Sequence, residues 1–410
     1  MKTEVFIRER FLEFYERESY RIEAPSSIER REFGFLLFKQ QFMVRHKGFS
    51  DVEQLRSFLR RNVPSHVYYS TAYYDSPEEE MDRKGWLGAD LYFDIDADHI
   101  PTDCGKVHDR WTCKGCGFSG KGMVPEKCPI CGRRSFDEKT WPCEVCLESA
   151  KQETVKLVEM LTQDFGFSEE DVRVSFSGHR GYHVHVENEE IRRMDSMARK
   201  EIVDYVTGTG LEVESHGVNK TLSRRTMLIG PRLDDLGWRG RIARGTQEFL
   251  KNTTRDELLN LGLRRNVANA IMASRALILK SWESDGPWNL VKGVGPESWK
   301  VIVQQALKSQ SARVDTVVTT DIHRLIRLAN TLHGKTGLMK AAFPTSGIED
   351  FDPFKAAVAF TEGEATIVVE EAPQFRIGEE TFGPFKNQRV ELPMAAAVLL
   401  LCKGLAEVAE

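Results

Sequence analysis

Two aspartates one residue apart, Asp94 and Asp96, close an apolar run in the segment Asp90-Leu-Tyr-Phe-Asp-Ile-Asp-Ala-Asp-His99. On a strand, alternate side chains share a face. Asp94 and Asp96 then stand together with Tyr92, Asp98 extends the row, and Phe93 and Ile95 turn into a core. Neighbouring carboxylates repel unless something positive lies between them. Magnesium or manganese suits, because hard cations take oxygen ligands. Two such ions can clamp a nucleotide's phosphates and activate a 3′-hydroxyl for in-line attack. A bare Asp-x-Asp also suits an exposed strand end or turn, and only the apolar strand leading into it argues for metal.

A second chemical segment, Ser177-Gly-His-Arg-Gly-Tyr-His183, lies between two strand-like runs, 172–176 and 182–186. Its glycines permit positive φ and let a phosphate approach the backbone. Ser177 offers a hydroxyl and Arg180 a rigid fork for phosphate oxygens. His183 and His185 share a strand face, and His179 sits in the turn. A tight hairpin with a structural Ser and a solvated Arg is the plainer alternative. No Gly-Lys-Ser/Thr follows, so this is not a Walker A loop.

The block from Asp315 to Gly337 supplies acid and base together. Asp315 opens an apolar run, 314–319, read as a strand, and offers a third metal ligand. Residues 321–328 read as a short helix projecting His323, Arg324 and Arg327, and His333 and Lys335 follow on a loop. An ordinary solvated cationic face is the alternative.

Seven of the eight cysteines lie between Cys104 and Cys146. Cys113-x₂-Cys116 and Cys128-x₂-Cys131 stand eleven residues apart, with glycines at the knuckles. That spacing is a strong zinc-ribbon signal, although four cysteines also suit iron. The third pair, Cys143 and Cys146, needs two further ligands. Cys104 and His108 can close a second site, with Asp103 or water as alternatives to the histidine. Neither site has an obvious open position, so both read as structural.

These groups need a scaffold, and composition allows one. The 410 residues carry 57 Lys+Arg against 62 Asp+Glu, a net charge of −5, with 41% hydrophobic residues. Disorder as the main state is excluded, and so is nucleic-acid binding through bulk positive charge. The first residues are charged, with no apolar leader, and the apolar stretch 394–402 is too short to span a bilayer. With clustered cysteines, this points to a reducing, cytosolic setting and no membrane.

Hydrophobic periodicity predicts a helix over the first 20 residues and strands at 33–38, 41–45 and 89–95. Helices follow at 147–164 and 191–206. Helical runs at 253–282 and 297–308 are broken by glycine and proline. A late strand pair, 364–370 with 374–377, and a helix from 392 complete the chain. The expected architecture is a mixed α/β core (1–103, 147–207 and 311–410) with a zinc-binding insert (104–146) and a mostly helical insert (208–310).

The combination resembles the catalytic small subunit of archaeal and eukaryotic DNA primases, most closely the archaeal form. Five segments carry the likeness in order: Arg31-Glu-Phe-Gly-Phe35, Trp86-Leu-Gly-Ala-Asp-Leu-Tyr-Phe-Asp-Ile-Asp96, Ser177 to His183, Gly237-Trp-Arg-Gly-Arg-Ile-Ala-Arg244, and Asp315 to Gly337. The resemblance implies a primase-type core with a mixed β-sheet and flanking helices. Asp94, Asp96 and Asp315 match the family's catalytic, metal-binding aspartates. Ser177, Arg180 and His183 match its phosphate grip, and Arg327, His333 and Lys335 the basic residues around triphosphate and sugar. Glu32 and Arg45 match a strand pair near the same site, and Cys143 and Cys146 match its zinc site.

The implied activity is template-directed synthesis of short RNA primers from NTPs, with dNTPs a further substrate, on single-stranded DNA. The implied setting is the archaeal cytosol at the nucleoid. The implied partner is a large subunit carrying an iron–sulfur cluster. A repair or end-joining polymerase of the same superfamily, and a non-catalytic zinc-ribbon scaffold, are the alternative readings. Three departures stand out: His179 where some relatives have Arg, Ala329-Asn-Thr331 in place of a Pro-Gly-Ser-like turn, and the four-cysteine ribbon as an added module.

Overall fold

The structure, a computed structural model, describes residues 3–38, 42–104, 108–213, 219–220 and 228–409. The chain forms two compact units, one of Met1–Val155, Ser168–Lys200 and Arg313–Glu410, the other of Lys156–Phe167 and Glu201–Ala312.

Two four-stranded antiparallel sheets organise the first unit. One has the order Leu325–Arg327, Pro64–Ser70, Phe33–Leu37, Val44–Lys47. The other runs Ala341–Phe343, Val172–Phe176, Gly181–Val186, Leu91–Asp96. Leu91–Asp96, the aspartate strand, buries Leu91, Phe93 and Ile95 and so leaves Asp94 and Asp96 on the opposite face. It pairs with Gly181–Val186, the histidine strand, in a register that sets His183 opposite Asp94 and Gly181 opposite Asp96. Glycine is required at 181, where a Cβ would meet the Ile95 carbonyl oxygen at 2.2 Å. The first sheet packs an aromatic core of Phe33, Phe35, Phe49 and Phe58.

The cysteine segment forms its own small sheet, Ser119–Lys121, Arg110–Cys113 and Phe136–Lys139. Towards the C-terminus, Glu364–Ala372 lies between Phe385–Pro393 and Ala406–Val408, beside the wholly apolar helix Met394–Cys402.

In the second unit, Gly237–Asn252 and Pro296–Gln310 are the longest helices among the described residues, with Arg255–Asn260, Arg265–Ala273 and Arg275–Ser281 between them. Trp282, Trp288 and Trp299 meet edge-to-face, at 5.4 and 5.1 Å between successive centroids. A buried Arg241 pairs with Asp164 at 2.6 Å.

Several elements differ from expectation. Residues expected as a strand at 314–319 contain the short helix Thr316–Thr320. Asp315 caps it, its carboxylate accepting from the N–H groups of Val317 and Val318, which overrides the β-branched propensity. The expected helix at 321–328 is instead a turn followed by the strand Leu325–Arg327, because pairing with Pro64–Ser70 buries Ile326 beside Tyr69. The strands at 364–372 and 375–377 both form, but pair with other partners rather than each other. The helix expected at 191–206 is split into Glu189–Arg192 and Ser196–Thr207, with Asp195 accepting from the Ala198 N–H. The strand expected at 41–45 is Val44–Lys47, and residue 41 lies outside the described residues.

Candidate active site and metal centres

The aspartate strand presents Asp94 with 29% of its side chain open to solvent. Burial, then the charges of Asp96 and Asp315, push the Asp94 carboxyl up to about 7. Three acids therefore converge electrostatically with too little positive charge between them. Asp315 arrives from the far end of the chain, its N–H donating to the Asp94 carbonyl at 2.8 Å. Asp96 accepts from the Asp98 N–H at 3.0 Å. The three carboxylates are not among the groups whose ligand atoms all come within 4.8 Å of one another. Their donor set is all hard oxygen and electrostatically starved of a cation, which fits magnesium or manganese.

Next to the acids lies a cluster of buried imidazoles with cations around them. His183 Nε2 is 3.5 Å from Asp94. His179 stacks on His333 at 5.0 Å between centroids, and His333 meets His66 edge-on at 4.8 Å. Burial, with several nearby cations, holds His66, His179, His183 and His333 well below the usual histidine range. All four are therefore neutral at pH 7. Arg327 is held by His66 Nδ1 at 2.6 Å and Tyr68 at 3.3 Å. Lys340 donates to the Arg327 carbonyl at 2.7 Å, and burial drives its ammonium down to about 7. Lys403 reaches His179 Nε2 at 3.2 Å and is pushed down to about 8, chiefly by burial. These bases are depressed first by burial and second by the crowding of cations, which gather positive charge beside the acids.

The glycine turn joins the two halves. Gly178 has φ +82°, and a Cβ there would meet His333 at 2.9 Å. Thr336 donates to the Gly178 carbonyl, tying the His333–Lys335 loop to the turn. Ser177 Oγ accepts from the N–H groups of His179 and Gly181, both at 3.2 Å. Its hydroxyl proton is left to donate outward. The Lys335 N–H donates to His333 Nδ1 at 3.2 Å, which places the His333 proton on Nε2.

Arg180 goes elsewhere. Its side chain is 1% exposed, with Nη1 2.5 Å from Asp98 and 3.0 Å from Asp109, and Nη2 3.5 Å from Cys146 Sγ. The sequence groups Arg180 with Ser177 and His183; in the structure its guanidinium lies against Asp98, Asp109 and Cys146. His66, Lys340 and Lys403 join the candidate residues without having been expected there. A lone histidine in a strand, or a lysine after an apolar helix, carries no motif that would have found them.

Two cysteine groups are assembled. Cys113 and Cys131 are 3.5 Å apart at sulfur, and Cys116 and Cys128 3.6 Å. In the other, Cys104 lies 3.3 Å from Cys146 and 3.5 Å from Cys143, and His108 Nε2 lies 3.2 Å from Cys143 and 3.5 Å from Cys146. A tetrahedron with bonds of about 2.3 Å has edges of about 3.7 Å. Both groups fit a four-coordinate metal, and His108 stands where the fourth ligand of the second would be.

Asp90, His185 and Glu187 form a third group with metal-ligand geometry. Arg31, fully buried, already pairs with Asp90 at 2.6 Å, and Tyr73 and His185 also bond it. Burial opposes this, yet these partners hold the Asp90 carboxyl down at about 2. The group is therefore charge-satisfied without an ion. Glu32 is likewise held by Arg45 at 2.9 Å and by a buried Lys84 at 3.0 Å.

Comparison with known proteins bears directly on these groups. The family model described as DNA primase small subunit matches residues 136–343. A DNA primase small subunit of Methanothrix thermoacetophila is 35% identical, with 99% of both chains covered. Those of Methanococcoides burtonii and Nitrosopumilus maritimus are 32% and 30% identical, over 99% and 98% of both chains. The chain belongs to the DNA primase small subunit family. Membership of that family makes it a nucleotidyltransferase of DNA replication, and its cysteine and acidic clusters are consistent with metal binding. Among the described residues no helix is long and apolar enough to cross a membrane.

Proposed function

We propose that this chain is the catalytic subunit of a primase, joining nucleoside triphosphates into short RNA primers on single-stranded DNA. The observation that carries the reading is an acid trio short of cations beside a cluster of buried, uncharged histidines and neighbouring cations. His183 faces Asp94 across paired strands, and Lys340 feels both Asp94 and Arg327.

Asp94, Asp96 and Asp315 are the residues that would hold magnesium or manganese. Ions there supply activation of the primer's 3′-hydroxyl and neutralisation of the leaving pyrophosphate. The protein's own groups position the triphosphate. Ser177 donates its hydroxyl proton, and His333 donates from Nε2. Arg327 offers a fork already braced by His66 and Tyr68, and Lys335 adds a point charge from the loop. Little covalent chemistry falls to the protein; orientation and electrostatics do most of it.

The two cysteine centres would hold structural zinc. The segment 104–146 then acts as a zinc-binding module and 208–310 as a helical accessory to the catalytic core. A large subunit bearing the iron–sulfur cluster is the partner, since a chain of net charge −5 holds a template weakly and in a salt-sensitive way.

Incorporation of labelled nucleotides on single-stranded DNA tests the reading, with and without the partner, comparing ribo- with deoxynucleotides under magnesium and manganese. Primer synthesis from no pre-existing end is expected. Extension of ends only would favour a repair or end-joining polymerase. Synthesis retained by an Asp94→Ala/Asp96→Ala double variant would overturn the site.

A further inference from the structure

Arg180 lies in the middle of the phosphate-like motif, yet its guanidinium is buried among three anionic partners. Nη1 sits between Asp98 at 2.5 Å and Asp109 at 3.0 Å, and Nη2 lies 3.5 Å from Cys146 Sγ. The second oxygen of Asp109 is 2.7 Å from His108 Nδ1 and also accepts from the Trp141 N–H at 3.1 Å. That contact keeps the His108 proton on Nδ1 and turns the Nε2 lone pair towards Cys143 and Cys146. On the other side, Asp98 stands in the turn Ala97–His99 that closes the aspartate strand. Its N–H donates to the Asp96 carboxylate at 3.0 Å, and the Ala97 N–H donates to the Arg180 carbonyl at 3.0 Å.

We propose that Arg180 is a positioning residue that joins the Cys104–His108–Cys143–Cys146 centre to the Asp96 end of the aspartate strand, so that filling this centre sets the grip of the catalytic acids on their cation. The second half rests on the active-site reading given above. The physical reason is charge. A buried guanidinium is stable only while its anionic partners stay in place. Three thiolates and one imidazole around a divalent ion leave a net negative centre beside Arg180. Emptied, the centre no longer ties its four ligands to one ion, so Cys146 is free to move off the guanidinium. The guanidinium then rests on Asp98 and Asp109 alone, and the Asp96–Asp98 turn is free to shift.

The test uses the full chain in a Cys116→Ser background, which removes the exposed ribbon centre and leaves one zinc class to read. Three quantities are measured: zinc release to a chelating dye, manganese affinity by electron paramagnetic resonance, and ATP affinity without added divalent ion. Arg180→Gln is expected to release zinc about tenfold faster and to bind manganese about tenfold more weakly. Its ATP affinity without divalent ion stays unchanged. Asp98→Asn cuts the link on the catalytic side only, so it weakens manganese binding and leaves zinc release alone. This second variant keeps the test decisive if Arg180→Gln does not fold.

A tenfold loss of ATP affinity in Arg180→Gln with unchanged zinc release would show a phosphate ligand and overturn the proposal. Unchanged manganese affinity in both variants would overturn the coupling. If Asp94→Asn also leaves manganese binding untouched, the active-site reading itself fails. Faster zinc release in Arg180→Gln would still uphold the tie to the cysteine centre.

Discussion

The N–H of Asp315 donates to the main-chain oxygen of Asp94 at 2.8 Å. This bond brings the third acid to the first two although most of the chain separates them. It also fixes the helix Thr316–Thr320, which Asp315 caps, against the aspartate strand.

Asp94→Asn should abolish nucleotide incorporation, by about 10³-fold or more, because the trio loses a ligand. The same change should stabilise the metal-free protein. The Asp94 carboxyl is raised from 3.8 to about 7, so the folded state favours its protonated form. Stability present at acid pH is lost as pH rises from about 4 through about 7. Asparagine removes that loss, giving roughly 1–3 kcal/mol at pH 8. Chemical denaturation at pH 5 and pH 8 checks it, and a variant no more stable than wild type at pH 8 would contradict it.

Nucleotide binding should take up protons. His66, His179 and His333 are held below the ordinary histidine range, chiefly by burial. A polyphosphate brings negative charge and raises all three, so protons flow onto the protein. Affinity for a metal-free triphosphate should strengthen as pH falls from 8 towards 6.5. Calorimetry in buffers of different ionisation enthalpy reads the uptake directly. Zero proton exchange would argue that the triphosphate lies elsewhere.

Two equivalents of zinc should copurify with the chain, one per cysteine group. Cys128→Ser should remove one and leave the main melting transition in place, since that group lies in its own small sheet. Cys146→Ser should remove the other and lower the main transition as well, because Cys146 is fully buried beside Arg180. Metal analysis and thermal melts separate the two. A stoichiometry unchanged in either variant counts against the centre concerned.

Arg31→Met should cost roughly 3–5 kcal/mol of folding stability, because it strands a buried Asp90 carboxylate. Asp90 is lowered from 3.8 to about 2 by its partners, so the stability it contributes is full above about 4 and is lost as pH falls from there through about 2. The double variant Arg31→Met/Asp90→Leu should recover part of the loss. Denaturant midpoints measure all three.

Much of the site was legible because its chemistry is local in sequence. Asp94 and Asp96 share a face through the two-residue period of a strand, and His183 with His185 through the same period. The two CxxC pairs announce tetrahedral ligation by spacing, and the structure gathers Cys104 and His108 beside the Cys143–Cys146 pair, which spacing had left short of two ligands. The helix at the N-terminus and the strands around Ser177 followed from hydrophobic periodicity.

What the sequence could not decide is where a short segment finds its partner. Residues 314–328 are β-branched and apolar, then cationic, a pattern that leaves helix and strand open. A cap by Asp315 made the first part helical, and pairing with Pro64–Ser70 made the last part a strand. Arg180 reads as a phosphate ligand by its neighbours in the chain, but its neighbours in space are Asp98, Asp109 and Cys146. His66 and Lys403 come from distant segments to meet His333 and His179, while Lys340 reaches the Arg327 carbonyl. Ligand identity and strand period are written in local chemistry. Which charges are buried together depends on non-local packing, and that alone shifted their protonation and assembled the site.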